Sequence, residues 1–155
     1  MTATSHALIG TMIATKVGDP ALALGLSFAS HFVADLVPHW DLGTHWREKS
    51  KGNLRIEATA DVLLGFALSL ILYSLLVDIE ATTTADFVLI FAAIIVSQAP
   101  DWLTAPYLMF GKGFPISDFM YQIQHKLNNK LDKPWGIITQ VVALILLFLI
   151  LFVIF

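Results

Sequence analysis

Residues 30–41 read Ser-His-Phe-Val-Ala-Asp-Leu-Val-Pro-His-Trp-Asp, two histidines and two aspartates in an otherwise apolar run. His31 and Asp35 are four residues apart, so on a helix they share a face. His39 lies one turn further on, and Pro38 before it can swing His39 and Asp41 inward. Glu57 and Asp61 repeat the four-residue spacing. Imidazole with carboxylate suits zinc, manganese or iron, whereas carboxylate and water alone suit magnesium. A divalent ion in such a set offsets the local negative charge and lowers the pKa of a water it holds. The chain has no cysteine, which excludes disulfides, thiolate metal sites and thiol nucleophiles.

The elements that must position these groups are membrane-like. Of 155 residues, 57% are hydrophobic and 14% charged. Soluble domains carry about 25% charged residues. Mean hydropathy is +0.75, and a formal charge of −3 gives no reason to expect a nucleic-acid partner. The expected fold is a single all-α transmembrane domain over residues 1–155, a bundle of about five hydrophobic helices. The first apolar run has no basic n-region, so it reads as part of the mature fold and not as a signal peptide. The pattern predicts helices over Ser5–Val17, Pro20–Val37, Leu54–Val77, Ala85–Ala99 and Pro134–Phe155. Ile116–Asn128 reads as an amphipathic interfacial helix with Phe119, Ile123 and Leu127 on one side. The first helix is shorter than the roughly 20 residues a crossing takes. Trp40, Trp46, Trp102 and Trp135 read as interfacial anchors, His45 as an exposed or headgroup-contacting residue, and His125 as lying on a solvated face.

Arg47, Lys49, Lys51, Arg55, Lys112, Lys126, Lys130 and Lys133 fall in one set of connections, against Lys16 in the other. The positive-inside rule makes that side cytoplasmic, together with the N-terminus, in a multi-pass inner-membrane protein. The same side collects His6, His31, Asp35, His39, Asp61 and Asp101, which form the expected ligand pool. It holds more ligands than one ion needs, so two ions or an outer carboxylate would account for the surplus. Glu57 and Asp61 are the expected catalytic carboxylates, with Glu57 as general base; Lys51 and Arg55 are placed to hold a phosphate or headgroup. A weak echo relates residues 6–10 to 61–65 and residues 37–40 to 99–102. It implies two pseudo-repeated hairpins with His6, His39, Asp61 and Asp101 around one centre.

Ser5-His6-Ala7-Leu8-Ile9-Gly10 and Pro38-His39-Trp40-Asp41 resemble two motifs of the bacterial and archaeal membrane-bound metal-dependent hydrolases. That family opens with Thr/Ser-His and ends its second helix in a Pro-Asp-x-Asp-His type signature. Here His39 stands where the family has aspartate, and the later His-Arg-Gly-x-Thr-His segment has no clear counterpart. The resemblance covers mainly the first third of the chain and implies divalent-metal binding more firmly than any substrate. The leading expectation is hydrolysis, at the cytoplasmic interface, of a phosphoester or ester of a lipid-like substrate, with zinc, manganese or magnesium. The alternatives are a non-enzymatic membrane scaffold with a structural metal or polar cluster, and an ion or proton carrier.

Overall fold

The computed structural model describes residues 1–42, 44, 48–111 and 114–154. His45, Trp46, Arg47 and Lys112, on which part of the sequence reading falls, lie outside the described residues. Six helices follow one another: α1 Ala3–Lys16, α2 Pro20–Asp35, α3 Lys51–Leu76, α4 Thr84–Phe110, α5 Pro115–Leu127 and α6 Trp135–Leu149. A π-turn over Ile150–Ile154 continues α6, and a 3-10 turn over Ile79–Ala81 joins α3 to α4. Local chemistry sets the starts. The side chains of Thr2, Asp19 and Ser50 accept from the first-turn amides of α1, α2 and α3. Thr83 and Asp86 form a capping box on α4.

Three of these helices, α3, α4 and α6 with its π-turn, are long and apolar enough to cross a membrane. Side-chain placement is inverted relative to a water-soluble bundle. Thr11, Ser27, Ser69, Ser97 and Gln98 are fully buried, while Leu63, Val88, Ile145 and Leu75 are more than half exposed or nearly so. Small and polar residues at helix contacts, with aliphatic residues outside, are what helices packed in lipid require. The inversion extends to α5, which buries Ser117, Met120 and Gln124 and exposes Ile116 and Phe119.

Several expected boundaries move. Among the described residues there are six helices, the amphipathic one included, and α4 does not end at Ala99. It runs through Pro100 and Pro106 to Phe110. A proline inside a helix forfeits one backbone bond, and that loss does not break α4. Chain direction at the parallel prolines differs too, since α2 stops at Asp35, before Pro38. The two hairpins of the sequence echo are therefore not equivalent in the structure.

α1 is the central helix, packed on α2, α3, α4 and α6. Its partner α4 comes so close that a Cβ on Gly10 would lie 2.7 Å from Ser97 Oγ and 2.8 Å from the Ala93 carbonyl oxygen. A backbone oxygen cannot swing aside as a side chain can. Gly10→Ala should therefore destabilise the protein by about 1–3 kcal/mol, despite alanine's better helix propensity. A lowered thermal midpoint in detergent is the expected reading.

Candidate metal centre

The N-terminal turns of α1, the end of α2 and the middle of α4 meet at one level. His6, His31 and His39 are each at most 1% exposed, and Asp35 is 2% exposed. His6 Nε2 lies 3.3 Å from Asp35 Oδ1, His31 Nε2 3.6 Å from Asp35 Oδ2, and His39 Nε2 3.6 Å from Asp35 Oδ1. His31 Nε2 is also 3.6 Å from Asp101 Oδ1, and His39 Nε2 is 3.6 Å from Asp41 Oδ2. His6, His31 and Asp101 each offer an atom within 4.8 Å of the others, a group that could hold a metal ion. The His6 and His31 rings stack at 3.8 Å. The α-ammonium of Met1 also contacts Asp35.

The hydrogen bonding around these rings is compatible with a ligand set. His31 Nδ1–H donates to the Ser97 carbonyl at 2.8 Å, and His39 Nδ1–H to the Val37 carbonyl at 2.7 Å. Each bond fixes the tautomer, so the Nε2 lone pair points at the carboxylates. Both nitrogens of His6 and Nε2 of His39 are buried without a hydrogen-bond partner among the described residues. A buried polar atom left unpaired is costly, and a cation would satisfy one nitrogen of each ring. Ligand bonds of about 2.0–2.2 Å put tetrahedral neighbours roughly 3.3–3.6 Å apart; the individual His–Asp pairs have that spacing, and the His6, His31 and Asp101 atoms lie within 4.8 Å of one another. The residues present therefore fit a divalent ion.

α5 closes the cluster from the side. The Gln124 amide nitrogen is 3.0 Å from His31 Nε2 and 3.1 Å from Asp101 Oδ1, while its oxygen accepts from Thr104 Oγ1 at 2.7 Å. An ion on His31 Nε2 would take the lone pair that Gln124 now engages. The chain after α5 is stitched to the end of α2. His39 N donates to the Asn129 carbonyl at 3.0 Å, and Leu131 N to the His39 carbonyl at 2.7 Å. Asp41 accepts from Lys130 Nζ at 3.1 Å and from Asn128 Nδ2 at 3.2 Å. Burial alone would push the Asp41 carboxyl up; the neighbouring His39 imidazole and Lys130 ammonium outweigh it and hold it well below the usual carboxylate range.

Five of the six expected ligands, His6, His31, Asp35, His39 and Asp101, are brought together. Asp61 is not. Its carboxylate accepts from Ala3 N at 2.7 Å, Thr4 N at 3.2 Å and Thr4 Oγ1 at 2.6 Å, so it caps α1 from α3. α1 lies against the later part of α3, not its first turns, which is why the four-residue spacing from Glu57 leads away from the cluster. Glu57 itself pairs with Lys49 at 2.6 Å and is partly exposed. Lys51 Nζ donates to the Met109 carbonyl at 3.0 Å, and Arg55 Nε reaches Met109 Sδ at 3.5 Å. These two cations bridge α3 to the end of α4 and do not touch the cluster. Glu57→Gln should accordingly leave bound metal and any turnover within about twofold of wild type, as surface changes do; metal analysis beside a rate measurement checks this.

Sequence reasoning missed Gln124, Asn128 and Lys130. The available signal was the three- and four-residue spacing of Ser117, Met120 and Gln124, the small or polar stripe of α5. The sequence reading follows instead the apolar stripe of Phe119, Ile123 and Leu127 and gives the opposite face no role.

A cavity of about 470 Å³ opens beside the cluster. Asp41, Asp101, Gln124, His125 and Lys130 line its polar end, and Leu54, Ala58, Val62, Ala105, Leu108 and Met109 its apolar walls. The Asp101 side chain is 39% exposed toward it, the most open carboxylate of the cluster. Comparison with protein-family models, with curated proteins and with solved structures gives no match.

Proposed function

We propose that the chain is a metal-dependent membrane hydrolase acting at the cytoplasmic interface of the inner membrane on a phosphoester or ester of a lipid-like substrate. The observation that carries the reading is that Nε2 of His6 and of His39 are buried without hydrogen-bond partners among the described residues and lie 3.3 and 3.6 Å from Asp35. His6, His31, Asp35 and Asp101 would hold the ion, with His39 and Asp41 beside them. Zinc or manganese suits this mixture of imidazole and carboxylate better than magnesium. When bound, the ion supplies Lewis acidity and a water of lowered pKa.

The chain's own residues do the rest. The Ser97 and Val37 carbonyls hold the His31 and His39 rings in orientation. Asp101, open to the cavity, can take the proton of a reacting water there. Lys130 offers an ammonium to substrate oxygens. The cluster end carries Lys49, Lys51, Arg55, Lys126, Lys130 and Lys133, and the opposite end Lys16 with Asp19, Asp78, Glu80 and Asp86. That bias supports the cytoplasmic orientation.

The test is elemental analysis of the purified protein, followed by a phosphatase and esterase screen. Stoichiometric metal, lost in His31→Ala and Asp101→Ala, is the expected result. No metal in wild type, with both variants folded, overturns the proposal. A second reading, a structural polar cluster in a membrane scaffold, draws on the ammonium groups of Met1 and Lys130 that already contact Asp35 and Asp41. It predicts a metal-free protein that loses thermal stability when Asp35 is replaced.

A further inference from the structure

The ligand atoms of the cluster fall into two groups built from different parts of the chain. His6, His31 and Asp101 come from α1, α2 and α4 and lie within 4.8 Å of one another. His39 and Asp41 follow α2 and are held by the chain after α5. The His39 backbone bonds to Asn129 and Leu131, and the Asp41 carboxylate to Lys130 and Asn128. The start of α6 closes on the same segment, where a Cβ on Gly136 would lie 2.6 Å from Trp40 N and 2.9 Å from the His39 carbonyl carbon. Asp35 belongs to both groups. Its Oδ2 is 3.6 Å from His31 Nε2, and its Oδ1 is 3.6 Å from His39 Nε2.

His39 distinguishes the second group. It is fully buried, and its Nε2 has no hydrogen-bond partner among the described residues. With Nδ1–H given to the Val37 carbonyl, Nε2 carries a lone pair. That atom is 3.6 Å from Asp35 Oδ1 and 3.6 Å from Asp41 Oδ2. A lone pair facing two carboxylates is repelled unless a proton or a cation stands between them. A shared proton would draw nitrogen and oxygen to about 2.7–2.9 Å. A separation of 3.6 Å is instead that of two ligands on one ion. Nor does Asp41 serve as an outer carboxylate. Such a group accepts the free N–H of a ligating imidazole, and the N–H of His39 is spent on Val37. Asn128 Nδ2 takes one lone pair of Asp41 Oδ2 at 3.2 Å and leaves the other.

We propose that His39, Asp41 and Asp35 form a second divalent-cation position, sharing Asp35 with the first, and that the Lys130 ammonium is its displaceable counter-charge. The proposal rests on the hydrolase reading for the first ion. Charge explains the exchange. Asp35, Asp41 and Asp101 supply three negative charges, and the ammonium groups of Met1 and Lys130 already lie on two of them. A first divalent ion carries the cluster past neutrality. A second adds two more charges, so it competes with Lys130 for Asp41. Lys130 is able to give way, because its side chain is 37% exposed. Both it and Asp41 line the cavity, so the position is reached from that side. The surplus positive charge then faces the cavity, where a phosphoester would offset it. Paired ions about 3.5–4 Å apart serve that chemistry in general.

The test is a zinc titration of the chelator-stripped full chain in detergent, with bound ions counted by equilibrium dialysis and elemental analysis. Wild type should bind two zinc ions per chain, the second more weakly than the first. Asp41→Asn and His39→Ala should each bind one, and the ion they keep shows that the rest of the cluster is intact. Lys130→Met should bind two, the second about tenfold more tightly than in wild type, since a charge-assisted bond no longer competes. Damage to the fold does not produce such a gain. With manganese, the two-ion form should give the exchange-coupled paramagnetic resonance spectrum of ions that share a carboxylate. One zinc ion per chain in both wild type and Lys130→Met leaves the hydrolase reading standing and removes the second position. Two ions kept in Asp41→Asn and His39→Ala, or two manganese ions without coupling, remove it as well. A second affinity unchanged in Lys130→Met overturns the exchange. No zinc on the wild type overturns the hydrolase reading and the second position together.

Discussion

On the proposed reading, Asp35→Ala should empty the candidate metal site. Asp35 is the one side chain within 3.6 Å of all three buried histidines. No other carboxylate in the cluster bridges His6, His31 and His39. The purified variant should hold less than about a tenth of the metal that the wild type binds, and any hydrolysis found in the wild type should fall at least about 100-fold. Loss of a mere outer partner already costs 10–100-fold. The backbone contact at this position survives the change, because Asn129 N donates to the Asp35 carbonyl and not to its side chain. The stitch to the segment after α5 therefore persists, and far-UV dichroism should stay near wild type. Unchanged metal content in a folded variant would remove Asp35 from the ligand set.

Asp61→Ala should do the opposite. The sequence placed Asp61 among both the ligands and the catalytic groups, but its carboxylate serves the first turn of α1. Removing it strands the amides of Ala3 and Thr4 in a half-buried setting, while the Thr4 hydroxyl keeps the carbonyl of residue 61 as acceptor at 3.0 Å. Charge-assisted bonds and helix caps of this kind suggest a loss of about 2–3 kcal/mol, or roughly 5–10 °C in apparent Tm. Metal bound per folded molecule should be unchanged. Asp61→Asn keeps an oxygen acceptor and should fall between the two. A variant that melts normally yet arrives without metal would restore Asp61 to the ligand set.

These two aspartates show how much the sequence could reveal. Helical character, the long apolar segments and the meeting of His6 with residues 31–41 and Asp101 follow from hydropathy and from which ends share a side. What failed was register along the helices. Glu57 and Asp61 have the same spacing as His31 and Asp35, and spacing alone does not say which level of α1 they meet. The close contact at Gly65, where a Cβ would sit 3.1 Å from Thr4 Cα, helps fix that level, and nothing local announces it. Prolines misled in a similar way. Pro38 follows the end of α2, whereas Pro100 lies inside α4, because tertiary packing and not the residue decides. In α5 the inversion of inside and outside hid Gln124: its apolar stripe faces outward, and the small and polar stripe holds the cluster.

The stitching between the end of α2 and the chain after α5 has a consequence for the order of events during synthesis. His6, His31, Asp35 and His39 are all made within the first quarter of the chain. The groups that hold them come much later: the Ser97 carbonyl, then Gln124, then Asn129 and Leu131. His39 has its Val37 acceptor from the start, but until Ser97 and Gln124 have been made His31 lacks the partners that aim it. α1 and α2 must therefore wait as an unfinished hairpin, and the cluster takes its full shape only after most of the chain has been made.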